Sequence, residues 1–506
     1  MSSFADFQRL IAQTTGADAT VELLLLQMEP AAAKHFRLCA IPHQFDLSVF
    51  KLLMPEVEPV QAERRYQEFS CLSPVVNLTD ALTLHDQARR FLFDQWLKEN
   101  SSEFKMVSER LVKHFEKSGA VQNSYDYAYA RRQRMFHMVG HDQSTGIEEF
   151  EKIFRDERIK GRLGECEALL ALIREYDFIL TQAHTSIVLY HEARLWFERR
   201  DWSHAEKLFR AVVAIDSLPQ SYRIKSWNRI GLLFAKQRCW KDAILNLERA
   251  VRLAKESNDV QMLPFALHDL GTAYRDSGEL DRSRRLLQES IHLAEKMQNT
   301  SCIAAAYNSL GTLERRGGDI RRGIEHYKTS LEYLRPLHDH LRTAQVYNNL
   351  GAAYADLGEW ETSKEMYKKS LDLKTEAGDT IGLARTLSNL IPVYQHLFRL
   401  PDAIAAAEKA TSIFETLRDP FSAAVATRNL AKIRRGTGTT AEIRANYLRA
   451  IELFRDAKDY DQAEATNKEL YSYSRPVGMP GWYWTAIVFL LLVVVGFVAW
   501  HLLTAE

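Results

Sequence analysis

Polar residues stand 40 positions apart along half of this chain: Arg229, Asp269, Ser309, Asn349, Asn389, Asn429 and Glu469. Three consecutive members are asparagines, whose carboxamides both donate and accept hydrogen bonds. Other candidates for chemistry are sparse. His137 and His141 are four apart, a spacing that would set two rings on one helical face for a metal ion. Only Asp142 stands by as a third ligand and Gly140 interrupts, so a structural or exposed role is expected for both. His85-Asp86 reads as the start of a helix, not a catalytic dyad. No GxxxxGK[ST], HExxH or nucleophile-elbow sequence occurs, and the glycines at Gly161–Gly164 and Gly436–Gly438 lack the lysine that reaches phosphates. The expectation is a chain with no catalytic residues, no cofactor and no metal.

The regular polar series requires elements that repeat with it. Ile230-Gly231, Leu270-Gly271, Leu310-Gly311, Leu350-Gly351, Leu390-Ile391, Leu430-Ala431 and Leu470-Tyr471 share the same step. Ala243, Ser283, Gly323, Ser363 and Ala403 form a second series, and Ala250, Ser290, Ser330, Ser370, Ala410 and Ala450 a third. The leucine and small residue fit a first helix that a second helix approaches closely. Ser277-Gly278, Gly317-Gly318 and Leu357-Gly358 mark the turn between them. One such hairpin cannot bury its apolar face alone, but stacked hairpins can.

The segments AYNSLGTLERRGGDIRRGIEHYKTSLEY and VYNNLGAAYADLGEWETSKEMYKKSLDL carry a resemblance to the tetratricopeptide repeat family, in the longer variant seen in kinesin light chains. It extends over about 220–473, with a shorter copy before it around His191–Ala205. Three departures stand out: Ile391-Pro392 replaces the glycine and its successor and predicts a kink, Glu314 replaces an aromatic residue, and the seventh copy serves as the cap. The resemblance implies an all-α superhelix whose inner curve is lined by first helices. It further implies that the residue before the leucine bonds to an extended peptide, making Asn349, Asn389, Asn429, Asp269 and Arg229 the expected peptide-binding groove. Arg342, Arg385 and Arg428 would add positive charge nearby.

Residues 1–119 lack the repeat. Helices are expected near 20–29, 32–40, 46–54, 59–70, 84–97 and 103–117, with two short strands at Val75–Leu78 and Ala81–Leu84. ALTLHDQARRFLFDQWL resembles the winged-helix module of STAND-type signalling ATPases, and 120–181 resembles the helical connector found there before repeats. Arg89, Arg90 and Lys98 are too slight a basic signal to expect nucleic-acid binding. Residues 182–473 are read as about seven repeats, 474–481 as a linker, and 482–503 as a transmembrane helix. That last segment carries no charge from Trp484 to Trp500, and its 22 residues would span roughly 33 Å. With Lys468 and Arg475 before it and no lysine or arginine after it, the expected topology is tail-anchored, with the bulk of the chain in the cytoplasm.

The chain has 66 basic and 66 acidic residues, so net charge gives no pull toward nucleic acid or acidic lipid. Its five scattered cysteines read as small buried apolar residues. The function expected from sequence is a single-span, membrane-anchored scaffold that recruits a cytosolic protein or peptide. The alternatives are a sensor subunit of a STAND-like signalling or defence system and, third, a membrane-tethered DNA-binding regulator.

Overall fold

The computed structural model describes residues 17–99, 101–118 and 125–474. They form two compact units, which divide between Met262 and Leu263.

The first unit opens with α1 (Ala17–Gln27), α2 (Pro30–Leu38), α3 (Leu47–Leu53) and α4 (Pro59–Ser70). Strands β1 (Val75–Asn77) and β2 (Leu82–Leu84) then pair antiparallel, Val76 opposite Thr83, where two short strands are expected. Helices α5 (Asp86–Glu99), α6 (Ser101–Ser118), α7 (Tyr125–His141), α8 (Gln143–Ile159) and α9 (Leu163–Arg174) follow. One apolar core runs through all of these, and at its centre Phe93, Phe104, Phe136 and Tyr176 pack ring against ring. Two helix pairs complete the unit: α10 (Gln182–Glu198) with α11 (Trp202–Val213), and α12 (Gln220–Lys236) with α13 (Trp240–Glu256).

The second unit is built of helix pairs alone. They are α14 (Leu263–Ser277) with α15 (Leu280–Lys296), α16 (Thr300–Arg316) with α17 (Ile320–Leu334), and α18 (His340–Asp356) with α19 (Trp360–Glu376). Next come α20 (Thr380–His396) with α21 (Leu400–Thr416), and α22 (Pro420–Arg434) with α23 (Thr440–Asp456); α24 (Tyr460–Ser474) packs on α23. Each second helix also packs on the first helix of the next pair, giving a continuous superhelical stack.

The repeat series now acquire physical meaning. A Cβ on Gly311 would meet the Tyr327 ring at 2.6 Å, and one on Gly351 would meet the Tyr367 ring at 2.8 Å. In the first unit, a Cβ on Gly231 would meet Leu247 at 2.5 Å. In each case the small residue of the first helix makes room for a large one sixteen positions on. Where Ile391 takes the glycine's place, the residue sixteen on is Ala407, and both are buried in one core cluster. The bulk has changed sides. The third series ties the two helices together: buried hydroxyls of Ser290, Ser330 and Ser370 each donate to a first-helix carbonyl, of Pro264, Ala304 and Ala344, at 2.7 Å.

Turns repeat as closely as helices. Before each first helix a residue adopts positive φ, at Gln298, His338, Gly378, Arg418 and Lys458. The next residue is Asn299, Asp339, Asp379, Asp419 or Asp459, whose side chain accepts from a backbone N–H three residues on, at 2.8–3.1 Å. The turn within a pair has its own positive-φ site, held by Gly278, Gly318 and Gly358 but by Phe398 in the fourth pair of this unit. Glu314 is buried and takes two hydrogen bonds at 3.1 Å from Arg284, so an ion pair fills the aromatic's place. Helix α20 runs from Thr380 to His396 with Pro392 inside it, a residue that costs about 3 kcal/mol in a helix interior.

Three cysteines are buried, but Cys71 and Cys239 are exposed, so the expectation of five buried thiols is corrected. The expectation of a single-pass membrane protein with its bulk facing the cytoplasm is also corrected. Among the described residues no helix is long and apolar enough to cross a membrane. The longest, α6, has 18 residues and carries Glu103, Lys105, Glu109, Arg110 and Lys113. The span expected over 482–503 lies outside the described residues.

The tight glycine contacts make a prediction about stability. Gly351→Ala should destabilise the chain by about 1–3 kcal/mol through overpacking against a ring that cannot retreat. Gly164→Ala, where a Cβ meets nothing within 4 Å, should be neutral or stabilising. Chemical denaturation of both variants checks this; equal effects would remove close approach as the reason for the glycine.

Candidate functional site

The polar series lies along the first helices. In the second unit its members are bonded from one repeat to the next. His268 Nε2 pairs with Ser309 Oγ at 2.9 Å, Asn349 Nδ2 donates to Asn308 Oδ1 at 2.9 Å, and Asn389 Nδ2 donates to Asn348 Oδ1 at 3.2 Å. Each rung joins the residue before the leucine of one repeat to the residue two before it in the preceding repeat. Sequence reasoning named one end of each rung and missed the other, namely His268, Asn308 and Asn348. The signal was present, since all three stand in the 40-residue frame.

The five expected groove residues therefore differ in state. Asp269 pairs with His268 at 2.9 Å. Asn349 and Asn389 spend a donor each on a rung. Asn429 is half-buried and has no hydrogen-bond partner among the described residues. Arg229 belongs to the first unit, with its guanidinium 6.0 Å from the Phe197 ring. Asn389 and Asn429 come together in a cavity of about 420 Å³, whose wall also includes Ser388, Pro392, Gln395 and Lys432. Its charged members are engaged: Lys432 with Glu469 at 3.0 Å, and Asp356 with Arg315 at 2.6 Å. What remains is a set of neutral amides on an apolar floor of Ala352, Ala355 and Ile391.

A buried chain of donors supports this wall. Lys374 Nζ donates to Thr386 Oγ1 at 2.6 Å, and Thr386 Oγ1 donates to Asn348 Oδ1 at 3.1 Å, the acceptor that also serves Asn389. Burial lowers the Lys374 ammonium's pKa, against the pull of Asp379. Of the arginines expected to add charge, Arg342 is spent on Asp339 and Ser301, and Arg428 donates to Gln462 at 2.8 Å. Arg385 is exposed one turn from Asn389.

Over residues 266–376 the helix pairs match the tetratricopeptide repeat. Family models described by that name match residues 302–376 and 266–297. A model described as anaphase-promoting complex subunit 5 matches 165–277. Tetratricopeptide repeat protein 29 of Rattus norvegicus is 32% identical over 115 residues, which is 23% of this chain and 23% of that protein, so the likeness spans under a quarter of either. Among solved structures, a STAND signal transduction ATPase with a tetratricopeptide repeat sensor from Pyrococcus horikoshii is similar with a TM-score of 0.52 and 13% identity. That alignment covers 91% of this chain and 68% of the other, and it shows a shared fold. The apo quorum sensor NprR from B. thuringiensis gives a TM-score of 0.45 and 14% identity, over 66% of this chain and all of that one. The candidate residues stand on the first helices of these pairs.

The N-terminal candidates are placed differently. Arg89 is 8% exposed, donates to Glu175 at 2.8 Å and lies over the Phe93 ring at 5.1 Å, so it belongs to the core and not to a basic face. Glu175 also bonds His43 at 2.9 Å, joining the hairpin region to the end of α9. His137 is fully buried against Phe115 and Phe136, whereas His141 is exposed and bonds the Lys105 carbonyl at 3.3 Å; their rings are not presented together.

Both His137 ring nitrogens lack a hydrogen-bond partner. Burial, with His43 and Arg89 adding to it, holds this imidazole well below the ordinary 6.5. Below pH 6.5 the unfolded chain takes up a proton that the native state refuses. Stability is therefore lost as pH falls, at about 1.4 kcal/mol per pH unit for this one group. His137→Leu should remove that share while the buried His191 retains its own. Denaturant unfolding at neutral and mildly acidic pH should show a shallower slope in the variant, and identical slopes would refute the assignment.

Proposed function

We propose that this chain is a protein-interaction scaffold, without catalytic chemistry of its own, that takes an extended peptide segment of a partner protein along the first helices of residues 263–474. The observation that carries this reading is the cavity at Asn389 and Asn429. It presents unspent amide groups above an apolar floor, next to rungs that fix the preceding asparagines in place. An extended peptide offers alternating N–H and C=O groups that satisfy such amides, while its side chains reach the apolar surface between. The neutral lining favours recognition of backbone over charge.

A second reading draws on the fold likeness to the STAND protein, which reaches beyond the repeats to cover 91% of this chain. In it, the array senses a partner on behalf of a separate nucleotide-hydrolysing protein, and the hairpin-bearing N-terminal helices form the winged-helix-like contact to that protein. The two readings share the groove and differ in what the first unit does.

Panning a library of random dodecapeptides against the full chain tests the groove. Enriched peptides should lose at least about tenfold in affinity, some 1.4 kcal/mol, on the Asn389→Ala/Asn429→Ala double variant. The unfolding free energy should fall by no more than the loss of one rung, about 1 kcal/mol. Undiminished affinity in that variant would place the ligand elsewhere.

A further inference from the structure

Pro392 is exposed within α20, on the wall of the cavity. Its position in the repeat is held by Thr272, Thr312, Ala352 and Lys432 elsewhere in this unit, all of which keep the backbone N–H that a helix uses. A proline with nothing packed over it gives the fold no return for the bond it removes. Six residues on, Phe398 is 92% exposed and adopts φ 57° where three sibling turns use glycine. Two locally unfavourable residues thus occupy one helix and its turn, and both face outward. Violations of local preference without a packing return are expected where a surface is used.

The chemical consequence of Pro392 is specific. In an α-helix the N–H of residue 392 bonds the carbonyl of residue 388. Proline has no N–H, so the Ser388 carbonyl loses its intrahelical donor. Ser388 and Pro392 line the same cavity as Asn429, whose amide has no partner among the described residues. The cavity's charged groups, Lys432 and Asp356, are already paired. The group that completes this site is therefore a neutral donor beside a neutral acceptor.

We infer that the Ser388 carbonyl is a peptide-recognition element created by Pro392. It accepts the backbone N–H of one residue of an extended ligand, whose C=O takes the Asn429 amide. This rests on the groove reading above and adds to it a fixed register point, supplied by the helix backbone. A side-chain ladder can adjust its rotamers, whereas a helix carbonyl cannot move, so the ligand is held at one residue.

The test uses the full chain and the peptides enriched on it. Pro392→Ala restores the helical N–H, which then occupies the Ser388 carbonyl. The variant should melt at the same or a higher temperature and yet bind those peptides about tenfold more weakly. N-methylating the ligand's backbone one position at a time should reveal one site where wild-type binding falls by the same factor. At that site methylation should cost nothing further on Pro392→Ala. If Pro392→Ala binds as tightly as wild type while Asn389→Ala/Asn429→Ala loses binding, the groove stands and the carbonyl element is wrong. If no peptide is enriched, or the double asparagine variant binds unchanged, the groove reading falls and takes this inference with it. A variant that gains stability while losing affinity is the outcome a purely structural proline would not produce.

Discussion

The distance between the two helices of a repeat governs this structure. Where Gly311 and Gly351 stand, the second helix brings a tyrosine ring so near that a single methyl group would collide with it. That separation sets where the next first helix lies, hence the step between rungs, hence whether Asn349 reaches Asn308. The polar face and the packed face are consequences of one spacing, because amide side chains are too short to bridge helices that sit further apart. The swap at Ile391 and Ala407 keeps the spacing while exchanging which helix carries the bulk. Volume across the interface, not the glycine itself, is what the fold requires.

Capping contributes the second constraint. A positive-φ residue followed by an Asp or Asn cap begins each first helix of the second unit after α14. The chain leaves every second helix through the same backbone shape, and five of these turns therefore give five equivalent helix starts. This equivalence is why the residue before the leucine faces the same way in each copy. Electrostatics is secondary here, since the charged side chains near the cavity are largely matched within the array.

Much of this could be read from residue order. The helix-pair repeat, the turns, the hairpin at Val75–Leu84 and the small residues of the three series all stand where their spacing placed them. The helix expected near 46–54 is observed at 47–53, and that at 59–70 coincides. Other features resisted for identifiable reasons. The rungs join residues 41 apart, an offset that appears only once neighbouring repeats are docked. Arg89 reads as a surface base because its carboxylate partner lies 86 residues away. Glu314 reads as a departure because Arg284, which satisfies it, belongs to the previous repeat. Each of these is a tertiary pairing of polar groups; the 40-residue frame marks where the rung partners stand but not which of them meet.

The serine hydroxyls have one more consequence. Ser290, Ser330 and Ser370 each clamp a second helix to its own first helix, whereas alanine holds that place at 250, 410 and 450. Three adjacent hairpins therefore carry an internal latch that their sequence neighbours lack. Repeats couple only to those beside them, so each of these bonds acts within its own hairpin and on its immediate neighbours. The cavity at Asn389 and Asn429 sits at the edge of the last latched hairpin. The wall of that cavity thus joins a latched hairpin, through Ala352, Ala355 and Tyr367, to hairpins that lack the serine bond.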